Sequence, residues 1–321
     1  MGINNPEDRL NSSKLSVVVV SYNQKGTIRE TIESILSQRC VRAIEVLACD
    51  DCSTDGTQDV ISKLAEEYPG LVIPVLRKKN LGVVGNFFDG IVRSTGDIFM
   101  VCGGDDYWLP GKAEIEIEFL ANNKEFGMVY GAARCINANG EELSPYKGRE
   151  DNSFSALLAR YDICASTIAG RTELLMRYVK EVNPVEKGWP MEDFPMALWF
   201  SLRSSVKYID RYMTVYRVLD KSISHDNNFA KRLRFDSSVY SVKLYFEDMA
   251  GTTGTRKEKT LIAKNFAEWQ LALLDGRKDL ISKFTRLTWK GLRYFSLKDW
   301  IKFIVLSFVP NYYISKRLGS R

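Results

Sequence analysis

Histidine is almost missing from this 321-residue chain: His225 is the only one. Cys49 and Cys52 form a lone C-x-x-C, and no second pair follows at zinc-site spacing, so the six cysteines (40, 49, 52, 102, 135, 164) read as ordinary thiols. No stretch approaches the roughly 18–20 apolar residues of a membrane-spanning helix. The nearest, Trp300–Val309, carries Lys302 and stops at Pro310. No G-x-G-x-x-G opens the first helix and no G-x-x-x-x-G-K-[ST] occurs, which leaves a dinucleotide oxidoreductase and a P-loop NTPase without support. The loop after the first strand, SYNQKG, lacks the Gly-rich, Arg/Lys-bearing character expected of a sugar nucleotidyltransferase. The start, MGINNPEDRLNSSK, has no apolar core of a secretory signal, so the thiols point to a reducing cytosol. No internal repeat or low-complexity tract is visible.

What is present is the composition of a folded protein, 45% hydrophobic and 26% charged. The net charge of +5 is unevenly spread. From Arg277 to Arg321 eleven Lys/Arg face two Asp, giving +9, and the remainder sums to −4. A basic end on a mildly acidic body implies an anionic partner for the tail, or else a solvated helix face. With Trp289, Tyr294, Phe295, Trp300, Tyr312 and Tyr313 interleaved, the reading is an interfacial helix on the inner leaflet of a membrane, with nucleic acid disfavoured. A helix that merely closes the protein's own core remains the alternative.

The first half alternates strand and helix. LSVVVV (15–20) is a continuous β-branched run, the mark of a strand buried on both faces. A helix over 26–38, a strand over 43–49, a helix over 57–68 and a strand over 71–76 follow. The loop RKKNLGVVGN then leads into a helix ending near Ser94, with Asn86 as its cap, and a strand covers 98–102. This order predicts an α/β fold, a mostly parallel central sheet flanked by helices. Residues 124–220 read as mixed, with a strand near 128–134, a loop through Pro145, a short helix over 154–159 and further segments over 192–203 and 206–218. From 229 onward the chain reads as a helical C-terminal extension. The expected division is a polar tail (1–14), a catalytic domain (15–225, halves 15–123 and 124–225) and a helical basic region (226–321).

Parallel sheets bind ligands beyond the carboxyl ends of their strands. Here those ends carry Ser21-Tyr22-Asn23, Asp50-Asp51-Cys52-Ser53-Thr54-Asp55-Gly56-Thr57 and Gly103-Gly104-Asp105-Asp106. Asp55 and Thr57 read as a turn and helix cap. Adjacent carboxylates after the apolar run IFMVC are costly unless neutralised. A hard divalent ion, Mg²⁺ or Mn²⁺, would do so through one or two carboxylates and substrate phosphate oxygens. A cap for the following helix (LPGKAEIE) or pairing with Arg or Lys are the other solutions.

Taken in order, VVVVSYNQ, DDCSTDGT, NLGVVGN and GDDYW resemble the nucleotide-sugar-binding half of the family-2 inverting glycosyltransferases with the GT-A fold, and the resemblance extends over about Leu15 to His225. It implies that Ser21 and Tyr22 cradle or stack on the base, that Asp51 bonds uracil, and that Asn80 and Gly82 line the loop passing the nucleotide. It places Asp105 and Asp106 at the metal and ribose contacts. Many members carry an acid two positions before the double Asp; here that position is Gly103, which puts the individual ribose and metal assignments in question. The family's acceptor-side base lies in an acidic motif ahead of an apolar helix, matched by GWPMEDFPM, so Asp193 is the expected base and Glu192 the second candidate. Helix capping by these two acids is compatible with that role. Arg217 of Tyr216-Arg217 is expected on the donor diphosphate, and His225 near metal or diphosphate. Thr167 and Trp189 are expected on the acceptor wall. The implied partners are a UDP-linked sugar donor and a glycan or polyprenyl-linked glycan acceptor. The implied setting is bacterial surface-polysaccharide (O-antigen) assembly by a peripheral protein on the cytoplasmic face of the membrane. The rival is a non-catalytic nucleotide-sugar or glycan-binding module of the same fold, which Gly103 keeps open.

Overall fold

A computed structural model describes residues 14–39, 43–219, 229–274 and 276–308. The chain divides into two compact units, Met1–Val218 and Leu219–Arg321.

In the first unit the β-branched run becomes β1 (Leu15–Ser21), with Val17, Val18 and Val19 all fully buried. It is sandwiched because helices cover both faces, which is why the run shows no alternation. α1 (Ile28–Leu36) buries Ile28, Ile32 and Ile35 at helical spacing. β2 (Ile44–Asp50), α2 (Thr57–Glu67), β3 (Val72–Leu76), α3 (Gly82–Arg93) and β4 (Ile98–Gly103) complete the alternation. Both β2 and β4 pair with β1 in parallel, and β3 with β2. A Cβ at Gly90 of α3 would sit 2.8 Å from both Cys49 Sγ and a Val18 methyl, so this helix reaches the sheet because residue 90 has no side chain.

After β4 come β5 (Tyr107–Trp108), α4 (Lys112–Asn122), β6 (Phe126–Ile136), β7 (Glu142–Tyr146) and α5 (Phe154–Ala159). They are followed by β8 (Ala169–Arg171), α6 (Thr172–Val182), α7 (Asp193–Arg203) and β9 (Ser205–Arg217). The nine strands form one sheet in the order β3-β2-β1-β4-β8-β6-β9-β5, with β7 on β6. β8 runs antiparallel to both β4 and β6 and joins the parallel strands β3-β2-β1-β4 to the rest. The mixed α/β sheet and the helical C-terminal part agree with the expected fold class.

Three local expectations are corrected. α3 begins at Gly82, inside what reads as loop, and Asn86 is a buried residue within it rather than its cap. The Asn86 amide donates to the Cys49 carbonyl at 2.8 Å, tying helix to strand. Asp106 does not cap α4, whose N-cap is Gly111.

α4 also buries an ion pair. Lys112 and Glu116 are both fully buried and bonded to each other, with the Lys112 ammonium 4.6 Å from the Trp108 ring centroid. Burial pushes the Glu116 carboxyl from 4.5 up to about 7, and its Oε1 has no hydrogen-bond partner among the described residues. Because the folded value lies above the unfolded one, the stability this carboxyl contributes is lost as pH rises through about 7. Removing one partner strands the other charge, so Glu116→Ala is expected to cost about 3–5 kcal/mol in urea unfolding. Lys112→Met with Glu116→Leu is expected to be neutral or stabilising by about 1–4 kcal/mol.

The second unit contains α8 (Phe229–Met249), α9 (Thr255–Leu274), α10 (Lys278–Trp289) and α11 (Leu297–Phe308). Phe266, Trp269, Leu273, Leu292 and Phe303 form its core. No helix among the described residues is long and apolar enough to cross a membrane.

Candidate functional site

Several buried polar groups of the first unit lie at the carboxyl ends of β1, β2 and β4. Asp50, at the end of β2, is fully buried and organises this edge. Its carboxylate accepts Ser21 Oγ at 3.2 Å, Ser53 N at 2.8 Å and Gln58 Nε2 at 2.7 Å. The Ser21 hydroxyl, itself 4% exposed, is thus turned toward β2, while the Tyr22 ring stands 52% exposed at the rim. Asn23 and Cys52 take left-handed backbone conformations (φ 55° and 67°) and turn the chain sharply as it leaves each strand.

Asp51, Asn80 and Gly82 prove to be parts of one turn. Asp51 Oδ1 accepts Leu81 N at 2.7 Å, and its carbonyl accepts Asn80 Nδ2 at 3.0 Å. Asn80 Oδ1 in turn accepts Gly82 N at 3.0 Å. These bonds satisfy the first amides of α3 and explain why a helix starts there despite two glycines.

The loop after β4 is clamped from three sides. Thr31 of α1 donates to the Asp106 carbonyl at 2.6 Å, and Thr27 to the Gly104 carbonyl at 2.8 Å. Ser166, in the 3₁₀ turn Ala165–Thr167, donates to the Asp106 carboxylate and accepts Gly103 N at 3.0 Å. Arg217, at the end of β9, donates its backbone N–H to Asp106 Oδ1 at 2.9 Å. Its guanidinium reaches the Asp105 carbonyl, pairs with Glu30 at 2.6 Å and lies 5.1 Å over the Tyr107 ring.

Both carboxylates lean over Gly103. A Cβ there would lie 3.0 Å from Asp105 Oδ1 and 3.1 Å from Asp106 Oδ2, so the departure from an acid at this position leaves space that the two carboxylates share. Burial, then the charge of Asp105, hold the Asp106 carboxyl well above the usual range, and burial raises Asp105. Arg217 is the cation acting on both. Asp106 is 1% exposed with both oxygens occupied by protein donors, whereas Asp105 is only partly buried. Among the described residues no three metal-ligating side chains gather. The partly buried Asp105, backed by the buried Asp106, fits a hard divalent ion that takes its other ligands from a diphosphate and water.

The second acid pair lies at the start of α7. Glu192 is its N-cap residue and Asp193 its first residue, with Asp193 Oδ1 accepting Phe194 N at 2.7 Å. Burial and the charge of Asp193 push Glu192 up to about 8, and burial raises Asp193. The Tyr161 hydroxyl faces Asp193, and its ring packs 5.0 Å from that of Phe194. The two acid pairs share a wall. The Cys164 thiol senses both Asp106 and Asp193, while Tyr146 senses Asp193 and packs 5.8 Å from Tyr216, which senses Asp106 and Asp105. The strand-end acids and the acids at the start of α7 thus act on a common neighbour, Cys164, and on the packed pair Tyr146 and Tyr216.

Several roles are absent from the sequence reading. Ser166, Thr31, Glu30 and Tyr161 carry no motif; the polar Ser inside ICASTIAG was the one visible signal. Thr167 is fully buried and donates to the Cys164 carbonyl at 2.7 Å, which removes it from the acceptor wall. Trp189 is 8% exposed. His225, with Ser222 and Ser224, lies outside the described residues. Cys49 is buried and its thiol is pushed up to about 12, which suits a packing role.

The sequence model of Glycosyl transferase family 2 matches residues 16–179. An uncharacterized protein of Mycobacterium tuberculosis is 29% identical over 265 residues, 80% of this chain and 74% of that protein. The Escherichia coli UDP-Glc:alpha-D-GlcNAc-diphosphoundecaprenol beta-1,3-glucosyltransferase WfaP is 28% identical over 239 residues, 71% of this chain and 86% of WfaP. Among solved structures, S. aureus TarS 1-349 in complex with UDP-GlcNAc has a TM-score of 0.60 at 14% identity, covering 95% of this chain and 89% of that one, a likeness of fold. With the family's sequence pattern running over just more than half of the residues, from β1 into α6, the chain belongs to glycosyl transferase family 2.

Proposed function

We propose that this glycosyltransferase moves a sugar from a UDP-linked donor to a hydroxyl of a lipid-linked glycan, with inversion at the anomeric carbon. The observation that carries the reading is the Asp105/Asp106 pair leaning over Gly103 at the end of β4 with Arg217 clamped against it, and the Glu192/Asp193 pair at the start of α7 supplies the second acid. The donor and acceptor classes are supported by WfaP, whose name gives a UDP-sugar donor and a diphosphoundecaprenol acceptor, and by the UDP-GlcNAc held in TarS.

The Tyr22 ring stacks on the base at the rim, beside the Asp51 turn. Asp105, with Asp106 behind it, would hold Mn²⁺ or Mg²⁺, which supplies positive charge for the departing diphosphate when bound. Arg217, from the end of β9, holds the same loop and adds a fixed cation there. Asp193 takes the proton of the acceptor hydroxyl as its oxygen bonds the anomeric carbon. The bond from that carbon to the diphosphate oxygen breaks on the opposite face, and UDP leaves with the electron pair. One displacement inverts configuration, and no covalent intermediate on the protein is needed. Glu192, held protonated near neutrality, serves as a hydrogen-bond donor beside the base.

The test is release of UDP from UDP-sugars with and without a GlcNAc-diphosphoprenol analogue. Acceptor-dependent release with an inverted product supports the reading. Donor binding with no release under any acceptor would favour the non-catalytic module.

The pH profile follows from the geometry. Asp193 acts ionised, and burial holds its carboxyl above the ordinary carboxylate range, so the acidic limb of turnover is expected at higher pH than an exposed aspartate would give. Glu192→Gln keeps a neutral hydrogen-bonding group beside the base and is expected to leave that limb in place. A limb at the position of an exposed aspartate would take Asp193 out of the role of base.

A further inference from the structure

In the second unit, α11 is apolar on two sides. One side, through Trp300, Phe303 and Leu306, closes the core built on Phe266 and Trp269. The other leaves Leu297, Ile301, Ile304 and Val305 exposed by 78, 55, 45 and 52%. At 3.6 residues per turn these four fall within about 100° of arc. Lys298 and Lys302, both exposed, run along one edge of that arc. At the end of α10 the exposed Trp289 sets its ring 6.0 Å from Phe303, followed by the exposed Lys290 and Arg293.

A contiguous aliphatic ridge in water marks a surface with a partner. The charge selects that partner. A second copy of the chain would bring the +9 segment from Arg277 to Arg321 against itself, whereas an anionic bilayer attracts it. α11 is 12 residues long, too short to span but long enough to lie in the interface plane. We propose that α11, with Trp289, docks on an anionic phospholipid membrane, the Leu297/Ile301/Ile304/Val305 ridge entering the acyl boundary and Lys298 and Lys302 meeting headgroup phosphates. The inference stands apart from the donor chemistry.

Flotation of the full chain with phosphatidylcholine vesicles, with and without phosphatidylglycerol, tests it. The chain is expected to float with the anionic vesicles and far less with the neutral ones. Each lysine near an anionic surface is worth roughly fivefold in partitioning, so Lys298→Glu with Lys302→Glu is expected to weaken binding at least about 25-fold. Ile301→Asp with Val305→Asp is expected to reduce flotation to background. Both pairs are exposed, so thermal melting should stay at the wild-type value. If the ridge variant melts early, the lysine variant, which alters no apolar contact, decides. Equal flotation with both lipids, or unchanged binding by the lysine variant, overturns the proposal. So does a concentration-dependent dimer in ultracentrifugation without lipid binding, which would put a second copy on the ridge.

Discussion

Asp193→Asn is expected to lower turnover by roughly 10²–10⁴-fold while leaving donor affinity near wild type. The amide keeps the shape of the carboxylate and can still accept the Phe194 N–H, so α7 keeps its first turn. What it loses is the capacity to take a proton from the acceptor hydroxyl as the glycosidic bond forms. Steady-state rates with the GlcNAc-diphosphoprenol analogue, beside titration of UDP, separate the two quantities. A variant whose kcat falls and whose UDP affinity holds matches a base on the acceptor side. Parallel loss of both would mean that Asp193 supports the cleft structurally.

Asp105→Asn is the second large effect, a fall of about 10²–10³-fold in kcat through lost stabilisation of charge on the leaving diphosphate. It should also weaken UDP binding in Mn²⁺ and leave metal-free binding little changed. Asp106→Asn is expected to differ in kind. Its two oxygens hold Ser166 and the Arg217 backbone, so that variant should also melt earlier. Separate thermal and kinetic measurements on the two single variants distinguish the partly exposed acid from the buried one that positions it.

The parts of this fold legible in the sequence are those whose cause is local. Four consecutive valines can be satisfied only between two helical layers, and the acids at the strand ends announce an edge that needs a cation. Contacts across long separations were not legible. The start of α3 depends on a carboxylate from Asp51, 30 positions earlier, that replaces the missing cap, so NLGVVGN reads as loop when viewed alone. Asn86 looks like a cap for the same reason, and only β2 beside it reveals a buried tether. The candidate site divides in the same way. Asp105, Asp106, Glu192 and Asp193 stand out as adjacent acids. Ser166, which fixes one oxygen of Asp106 across 60 positions, has no sequence signature beyond being polar in an apolar run. Arg217 was expected to meet phosphate and is seen clamping the β4 loop and Glu30, a placement compatible with both duties.

The most direct test of the central claim, that the carboxylates beyond β4 hold a divalent ion against a uridine diphosphate, is thermal unfolding of the full chain with UDP, GDP, TDP and CMP, each with and without Mn²⁺. Stabilisation by UDP that requires Mn²⁺, and that Asp105→Asn erases, is the predicted result. A UDP-dependent shift of equal size in the metal-free protein and in Asp105→Asn, or no shift with any nucleotide, would contradict it.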